Sequence, residues 1–246
     1  MHFHGVPIGR FVASRLLWAS RTSRLVTIQA DGYKLRFHPS SVSAAMFCNP
    51  TFFREEETLL QRLLHPGDCF VDVGANVGTL SLAAARIVGE QGRVVAIEAH
   101  PKIARYLTDN VALNGFTNVQ VIHSAAGKDN THVYLSDRRS DDQNAVGEVG
   151  IRVPMRRLDD LIAPRKVRLL KIDVEGLEYM VLQGAKRLLR HTDFVQFESW
   201  EVRSRKYGYS TQDVIHLLEG CGFHVDVPKG YASEKYENLL ARRAER

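Results

Sequence analysis

The chain has 246 residues, 44% hydrophobic and 25% charged, and is long enough to bury the core of a full α/β domain. Its longest apolar runs fall far short of the roughly 20 residues that a membrane span requires, and basic residues interrupt its apolar start, which disfavours a secretory signal. The net charge of +5 arises in residues 1–50, because residues 51–246 carry 27 charges of each sign, so the balance gives no support for nucleic-acid binding. We therefore expect a cytoplasmic protein without a nucleic-acid partner.

The chain begins with a basic, apolar segment. Ile8, Phe11, Val12, Leu16 and Ala19 recur at helical spacing, and most nearby arginines lie off that face, which predicts an amphipathic helix. This helix either packs on the main domain or serves as a peripheral membrane contact or a substrate lid.

A β-hairpin and a second helix follow. Asp31-Gly32 separates two apolar runs and readily adopts positive φ, which predicts a tight hairpin turn. From Thr51 a helical pattern continues to the breaking sequence His65-Pro66-Gly67, with three glutamates in its opening turns, where the helix dipole favours acids. We divide the chain into an accessory segment, 1–50, and the main domain, 51–246.

From residue 69 onward, strand and helix patterns alternate. Strand–helix–strand repeats predict an α/β fold, with a mostly parallel sheet covered by helices on both faces. A polar stretch, Ser136–Gly150, interrupts the alternation and predicts a loop, either a surface excursion or an active-site lid. The seven predicted strands are 69–73, 93–97, 119–123, 167–172, 194–198, 223–227 and 238–242, and the helices are 76–88, 101–114, 177–190 and 211–220.

The first strand of the alternating series runs into a glycine-bearing turn, Asp72-Val-Gly74-Ala-Asn76-Val-Gly78. Dinucleotide-binding turns require a glycine at the position of Asn76, where backbone approaches the pyrophosphate. A cofactor without phosphates suits this turn better, and S-adenosylmethionine is the common one. Its carboxylate would take backbone N–H groups near Gly74 and the helix start, and its ammonium would take Asp72 or a nearby carbonyl.

Glu98 ends the next predicted strand, 24 residues after Gly74. A carboxylate at this strand tip can accept both ribose hydroxyls of a nucleoside cofactor. The alternative is an acid that caps the helix beginning near Pro101.

Several motifs resemble those of the FkbM-type methyltransferases, most specifically Lys171-Ile-Asp173-Val-Glu175-Gly176-Leu-Glu178. The resemblance implies a Rossmann-like class I methyltransferase fold that uses S-adenosylmethionine, and O-methylation of a sugar or a secondary metabolite. It assigns cofactor binding to Asp72, Gly74, Asn76, Gly78 and Glu98. Many class I enzymes offer an acid to the adenine after the third strand, whereas this chain has Ser124-Ala125-Ala126, so Ser124, Ala125 and the backbone take that role.

Three carboxylates follow predicted strand tips on the cofactor edge: Asp173, Glu198 and Glu175. An alcohol acceptor must lose its proton, and a carboxylate with a pKa raised by burial can serve as the base. The alternatives are a Mg²⁺ site and a structural role in which the glutamates favour a helix start. We favour Asp173 and Glu198 as base or orienting groups.

The sequence therefore predicts an S-adenosylmethionine-dependent methyltransferase of a small-molecule or glycan hydroxyl. An RNA or protein methyltransferase and a cofactor-binding protein without turnover remain as alternatives. Neither the acceptor nor the oligomeric state follows from the sequence.

Overall fold

The computed structural model describes residues 8–20, 22–137, 144–228, 231 and 237–244. Its strands are β1 (Thr27–Gln29), β2 (Lys34–Arg36), β3 (Cys69–Val73), β4 (Arg93–Glu98), β5 (Val119–His123), β6 (Ala125–Ala126), β7 (Thr131–Leu135), β8 (Val146–Gly147), β9 (Ile151–Arg156), β10 (Val167–Ile172), β11 (Thr192–Ser199), β12 (Phe223–Asp226) and β13 (Glu237–Arg243). Its α-helices are α1 (Ile8–Ala19), α2 (Ser41–Cys48), α3 (Arg54–Leu63), α4 (Thr79–Val88), α5 (Pro101–Asn114), α6 (Leu158–Leu161), α7 (Glu178–Gln183), α8 (Lys186–Leu189), α9 (Glu201–Ser204) and α10 (Thr211–Gly220). None of the described helices is long and apolar enough to cross a membrane.

Seven strands form the central sheet, in the order β12-β13-β11-β10-β3-β4-β5. All neighbours are parallel except those of β13, which runs antiparallel to β11 and β12. The predicted mostly parallel, seven-stranded sheet is thus confirmed. The strand order reverses between β3 and β10, so their carboxyl ends open on the crevice where such sheets bind ligands.

The central strands are buried on both faces. Phe70 of β3 and Leu169 of β10 belong to one hydrophobic cluster, whereas the next residue in each strand, Val71 and Leu170, belongs to another. Successive side chains of a strand point to opposite faces, so the two clusters lie on the two sides of the sheet. Helices cover both sides, and the sheet edge at the strand tips is left for the cavity.

The N-terminal hairpin is attached to the main domain by two asparagines of α5. Asn110 accepts a hydrogen bond from the N–H of Arg36 (2.8 Å) and donates one to the carbonyl of Val77 (2.8 Å). Asn114 bonds both backbone groups of Lys34 at 2.8 Å. The predicted helix and hairpin before the main domain are confirmed, and the hairpin is fixed to the helix that follows the second strand of the central sheet.

Four features differ from the sequence-based expectations. Helix α2 has no predicted counterpart, and a four-stranded sheet, in the order β6-β9-β7-β8, fills the region between β5 and β10. The predicted loop Ser136–Gly150 is part of that sheet through β8, while its residues 138–143 lie outside the described ranges. The predicted helix 177–190 is two short helices, α7 and α8, separated at Gly184, where a Cβ atom would lie 2.0 Å from the carbonyl oxygen of Gly127.

Candidate active site

A cavity of about 900 Å³ opens at the carboxyl ends of the parallel strands. It lies at the point where the strand order reverses, as expected for an α/β ligand site. All but one of the residues predicted from the sequence line this cavity. They are Asp72, Gly74, Asn76, Glu98, Ser124, Ala125, Asp173, Glu175 and Glu198.

Gly78 is the exception, because it is not among the lining residues. It precedes α4 with a φ of +95°, and a Cβ atom there would lie 2.4 Å from Cδ1 of Leu107. The structure therefore explains this glycine by close packing of the helix start against α5. Its predicted contact with the cofactor stays a prediction, and any such contact would be made by backbone.

The turn after β3 requires its first glycine. Gly74 has a φ of +83°, and a Cβ atom there would lie 1.8 Å from the carbonyl oxygen of Asp173. Asn76 has a φ of +50°, a left-handed conformation that asparagine tolerates better than most residues, and its side chain accepts the N–H of Val77 (2.7 Å). The turn therefore brings the ends of β3 and β10 into close contact below the cavity.

The carboxylate of Glu98 is fixed by two backbone donors. The N–H of Asn76 donates to Oε2 (2.9 Å) and that of His100 to Oε1 (2.8 Å). His100 itself caps α5, because its Nδ1 accepts the N–H of Lys102 (3.2 Å). Both oxygens of Glu98 are thus oriented at the cavity, which suits hydrogen bonds from ribose hydroxyls. The alternative role as the cap of α5 is not needed, because the side chain of His100 caps that helix.

Asp72 and Ser124 lie in the cavity wall, where protein groups bond the hydroxyl of Ser124 and one carboxylate oxygen of Asp72. The Oδ2 of Asp72 accepts from the hydroxyl of Ser81 (2.6 Å), and burial raises the pKa of Asp72 although the charge of Lys171 opposes this. The hydroxyl of Ser124 lies 2.8 Å from the carbonyl of Ala125 and 3.1 Å from that of Pro154. An adenine contact by Ser124 would therefore use its oxygen as an acceptor or its backbone.

Asp173 and Glu198 form a carboxyl pair beside Lys171. The ammonium of Lys171 lies 3.1 Å from Oδ2 of Asp173 and 3.8 Å from Oδ1 of Asp72. Burial acts to raise the pKa of Asp173, but the charge of Lys171 and a hydrogen bond with Glu198 lower it below its usual range. Burial and the charge of Asp173 raise the pKa of Glu198 well above its usual range. These opposite shifts favour the negative charge on Asp173 and the proton on Glu198, so the raised pKa expected of a buried base is found at Glu198 and not at Asp173.

Glu175 is placed differently from the other two carboxylates. It lines the cavity, but it forms an ion pair with Arg203 and has a φ of +60°, a strained conformation for a glutamate. The neighbouring Glu178 is buried, accepts the N–H groups of Val174 and Gly176 (both 3.2 Å), and accepts the hydroxyl of Tyr209 (2.8 Å). Glu178 therefore fits the structural alternative, and Glu175 is a charged wall group paired with arginine.

The donor set does not fit the Mg²⁺ alternative. An ammonium, that of Lys171, already lies between Asp72 and Asp173, and Glu175 is paired with Arg203. Across the described ranges, no group of three or more His, Cys, Asp or Glu side chains is placed to hold a metal ion. The charge of the carboxylates is therefore balanced by cationic side chains of this chain.

Sequence reasoning missed part of the cavity wall. Glu56 of α3 faces the cavity, and burial raises its pKa. Asn238 of β13 also lines it. Trp200 and Arg203, which follow β11 and were expected in the cavity wall, line it as well, with the guanidinium 4.3 Å from the ring centroid. A helix before the sheet and a strand near the C-terminus reach the site only through the tertiary fold, so no local signal marks them.

The segment after β11 carries three aromatic residues, Trp200, Tyr207 and Tyr209, of the kind that pack on sugars. Tyr209 is buried and donates to the carbonyl of Gly176 (2.7 Å) as well as to Glu178. Tyr207 donates to the carbonyl of Val146 (2.9 Å) and so connects this segment to β8. Only Trp200 of these three aromatic residues lines the cavity.

Comparisons with known proteins identify related methyltransferases. The model of the methyltransferase FkbM domain matches residues 72–225, more than half of the chain. Methyltransferase 1 of Beauveria bassiana is 28% identical over 193 residues, which cover 67% of this chain and 76% of that protein. Methyltransferase sdnD of Sordaria araneosa is 25% identical in an alignment 260 positions long, which covers 88% of this chain and 96% of that protein.

Solved structures share the fold at low identity. The methyltransferase FkbM of Methylobacillus flagellatus KT superposes with a TM-score of 0.52 and 15% identity, covering 96% of this chain and 59% of that one. The Streptococcus mutans protein SMU.1697c, solved in complex with SAH, has a TM-score of 0.51 and 9% identity, covering 78% of this chain and 97% of that one. The chain therefore belongs to the FkbM methyltransferase family and is an S-adenosylmethionine-dependent methyltransferase.

Proposed function

We propose that this enzyme methylates a hydroxyl oxygen of a small molecule, either a sugar or glycan or a secondary metabolite. The observation that carries the proposal is the carboxyl pair of Asp173 and Glu198 beside Lys171, at the cavity edge next to the cofactor turn. Bound S-adenosylmethionine supplies an activated methyl group. The chain's own residues must then hold the acceptor and take its proton.

An ionised Asp173 supports hydroxyl chemistry. A carboxylate accepts a hydrogen bond from an alcohol and can receive its proton during attack, a general-base role worth roughly 10²–10⁴ in rate. Lys171 keeps this carboxylate ionised at neutral pH, and protonated Glu198 can donate a hydrogen bond to orient it. With Lys171 and Glu198 beside it, Asp173 can accept the proton of the acceptor hydroxyl without a metal ion.

The size and walls of the cavity support a small acceptor. Small-molecule pockets span about 300–1,000 Å³, so a cavity of about 900 Å³ has room for a cofactor and a modest second molecule. Trp200 provides an aromatic face of the kind that packs on sugars, and Glu56 and Asn238 provide polar groups on the other walls. The balanced charge of residues 51–246 gives an RNA acceptor no comparable support.

Labelling tests the acceptor class directly. The enzyme is incubated with methyl-labelled S-adenosylmethionine and, separately, with cell glycans, lipids, secondary metabolites, RNA and protein, and label is expected in a hydroxyl-bearing small molecule. With that acceptor, Asp173→Asn should lower kcat by about 10²-fold or more. Asp109→Asn, at an exposed aspartate outside the cavity wall, is the matched control. Label in RNA or protein, or a fully active Asp173→Asn enzyme, would refute the proposal.

A further inference from the structure

The N-terminal helix α1 presents an apolar row to solvent. Ile8, Val12 and Leu16 are four residues apart, so they lie in one line along the helix, and their exposed fractions are 82%, 49% and 68%. Leu25, just after the helix, is 77% exposed. Single exposed apolar residues are ordinary, but an aligned row on one helix marks an interaction surface.

The opposite face of α1 attaches the helix to the protein. Ser14 is 1% exposed. The guanidinium of Arg10 donates to the carbonyl of Cys48 in α2 (3.4 Å), and the thiol of Cys48 donates to the carbonyl of Arg10 (3.8 Å). Of the roles expected for this helix, packing on the domain is thus seen on one face. One face packs on the domain, and the apolar row remains outside.

The charged residues of the segment that carries this row, 8–30, are all basic. Residues 1–50 contain six lysines and arginines and a single acid, Asp31. Arg15 is exposed and, by helical spacing, lies next to the row of Ile8, Val12 and Leu16. Arg24 is also exposed and precedes Leu25 in the sequence. An apolar helix face flanked by basic residues complements the surface of an anionic bilayer, where apolar side chains enter the acyl boundary and arginines reach the headgroups.

We infer that α1 docks this enzyme on anionic membranes, with Ile8, Val12, Leu16 and Leu25 in the bilayer surface and Arg15 and Arg24 against the lipid headgroups. The inference is independent of the acceptor proposed above, because it rests on a surface outside the cavity. Helix α2 separates the two, and its Val42 lines the cavity. The cavity wall thus lies one helix away from the docking surface.

Vesicle flotation with the full chain tests the inference. Vesicles of two parts phosphatidylcholine and one part phosphatidylserine should carry the protein, whereas phosphatidylcholine alone should carry much less. Binding should weaken at 1 M salt, where the Debye length falls to about 3 Å. Ile8→Gln/Leu16→Gln keeps good helix formers in α1 and should lower partition into anionic vesicles by more than about tenfold, because two large apolar side chains no longer enter the bilayer.

The matched control places the same change on exposed apolar residues elsewhere. Val149 and Val227 are 84% and 47% exposed, so Val149→Gln/Val227→Gln should bind vesicles like the wild type. Affinity for S-adenosylmethionine, measured by calorimetry, should be equal in all three proteins and shows that each is folded. Absence of wild-type binding, or undiminished binding by Ile8→Gln/Leu16→Gln, would overturn the inference. So would a wild-type dimer that this variant converts to monomer, because the row would then be a contact between copies.

Discussion

At the scale of single residues, Gly74 carries the strictest requirement in the site. A Cβ atom there would meet a backbone oxygen at 1.8 Å, and backbone cannot rotate away as a side chain can. Gly74→Ala should lower the free energy of unfolding by about 3 kcal/mol or more and weaken S-adenosylmethionine binding at least tenfold. Chemical denaturation and calorimetry measure the two effects.

Gly67 provides the control for this substitution. Its φ of +90° is close to the +83° of Gly74, but a Cβ atom there would meet nothing within 4 Å. Gly67→Ala should therefore lower the free energy of unfolding by only about 1–2 kcal/mol, the penalty for a left-handed alanine, and leave cofactor affinity unchanged. Equal effects of the two substitutions would show that the contact with Asp173 is not what makes Gly74 necessary.

Lys171 sets the ionisation of the proposed base. Its charge lowers the pKa of Asp173, so the carboxylate remains ionised as the pH falls below neutrality. Lys171→Met removes that charge, raises the pKa of Asp173 and should move the acidic limb of the pH–rate profile to higher pH. Lys166→Met is the control, because Lys166 pairs with Asp193 (3.3 Å) at an exposed position outside the cavity wall. An unshifted profile for Lys171→Met would contradict this role.

At the scale of elements, the two asparagines of α5 differ in what they support. Asn110 is completely buried, and Asn110→Ala would leave the N–H of Arg36 and the carbonyl of Val77 without their partner. Each unsatisfied buried group costs about 1–3 kcal/mol, so the free energy of unfolding should fall by at least about 2 kcal/mol. The cofactor affinity should fall as well, because Val77 belongs to the turn after β3.

Asn114 is the comparison within the same helix. It makes two hydrogen bonds to the same hairpin, but its partner groups on Lys34 are exposed and can bond water instead. Asn114→Ala should therefore cost less than about 1 kcal/mol and leave the cofactor affinity unchanged. Denaturation curves of both variants, compared with the wild type, decide whether burial explains the difference.

The elements also show which parts of the fold a single sequence reveals. The parallel strands are short apolar runs because they are buried on both faces, and the helices between them are periodic because each buries one face. Their positions were predicted within a few residues. Helix α2 was missed because six of its eight residues are buried, which leaves no polar face and no amphipathic period. The sheet of β6 to β9 was missed because two of its strands have only two residues.

The same distinction applies to the site. Residues directly after parallel strands, such as Asp173 and Glu98, could be placed together from topology alone, because parallel strands share one edge. Other features depend on contacts between distant segments. They are the ion pair of Glu175 with Arg203, the position of Glu56 in the cavity wall and the separation of α7 from α8 at Gly184. The local sequence pattern contains no signal for such contacts.

At the scale of the whole molecule, the residues proposed to bind the cofactor and the acceptor occupy different parts of the sheet. The turn after β3 and Glu98 of β4 form the proposed cofactor side, whereas the carboxyl pair stands at the ends of β10 and β11. A ligand that binds only the native state stabilises the whole fold, by about 2.7 kcal/mol at 100 times its Kd. For a chain of this size, that corresponds to a rise in Tm of about 5–10 °C.

The division of the sheet predicts how this thermal shift responds to substitution. S-adenosylmethionine should raise the Tm of the wild type and, by a similar amount, that of Asp173→Asn, because Asp173 serves the acceptor. Gly74→Ala should lose most of the shift, since its turn cannot keep its shape. NAD should produce no shift, because Asn76 stands where a pyrophosphate requires glycine. A shift with NAD would show that the turn at Asn76 accepts a pyrophosphate. A shift lost equally in Asp173→Asn and Gly74→Ala would show that the two functions are not separated along the sheet.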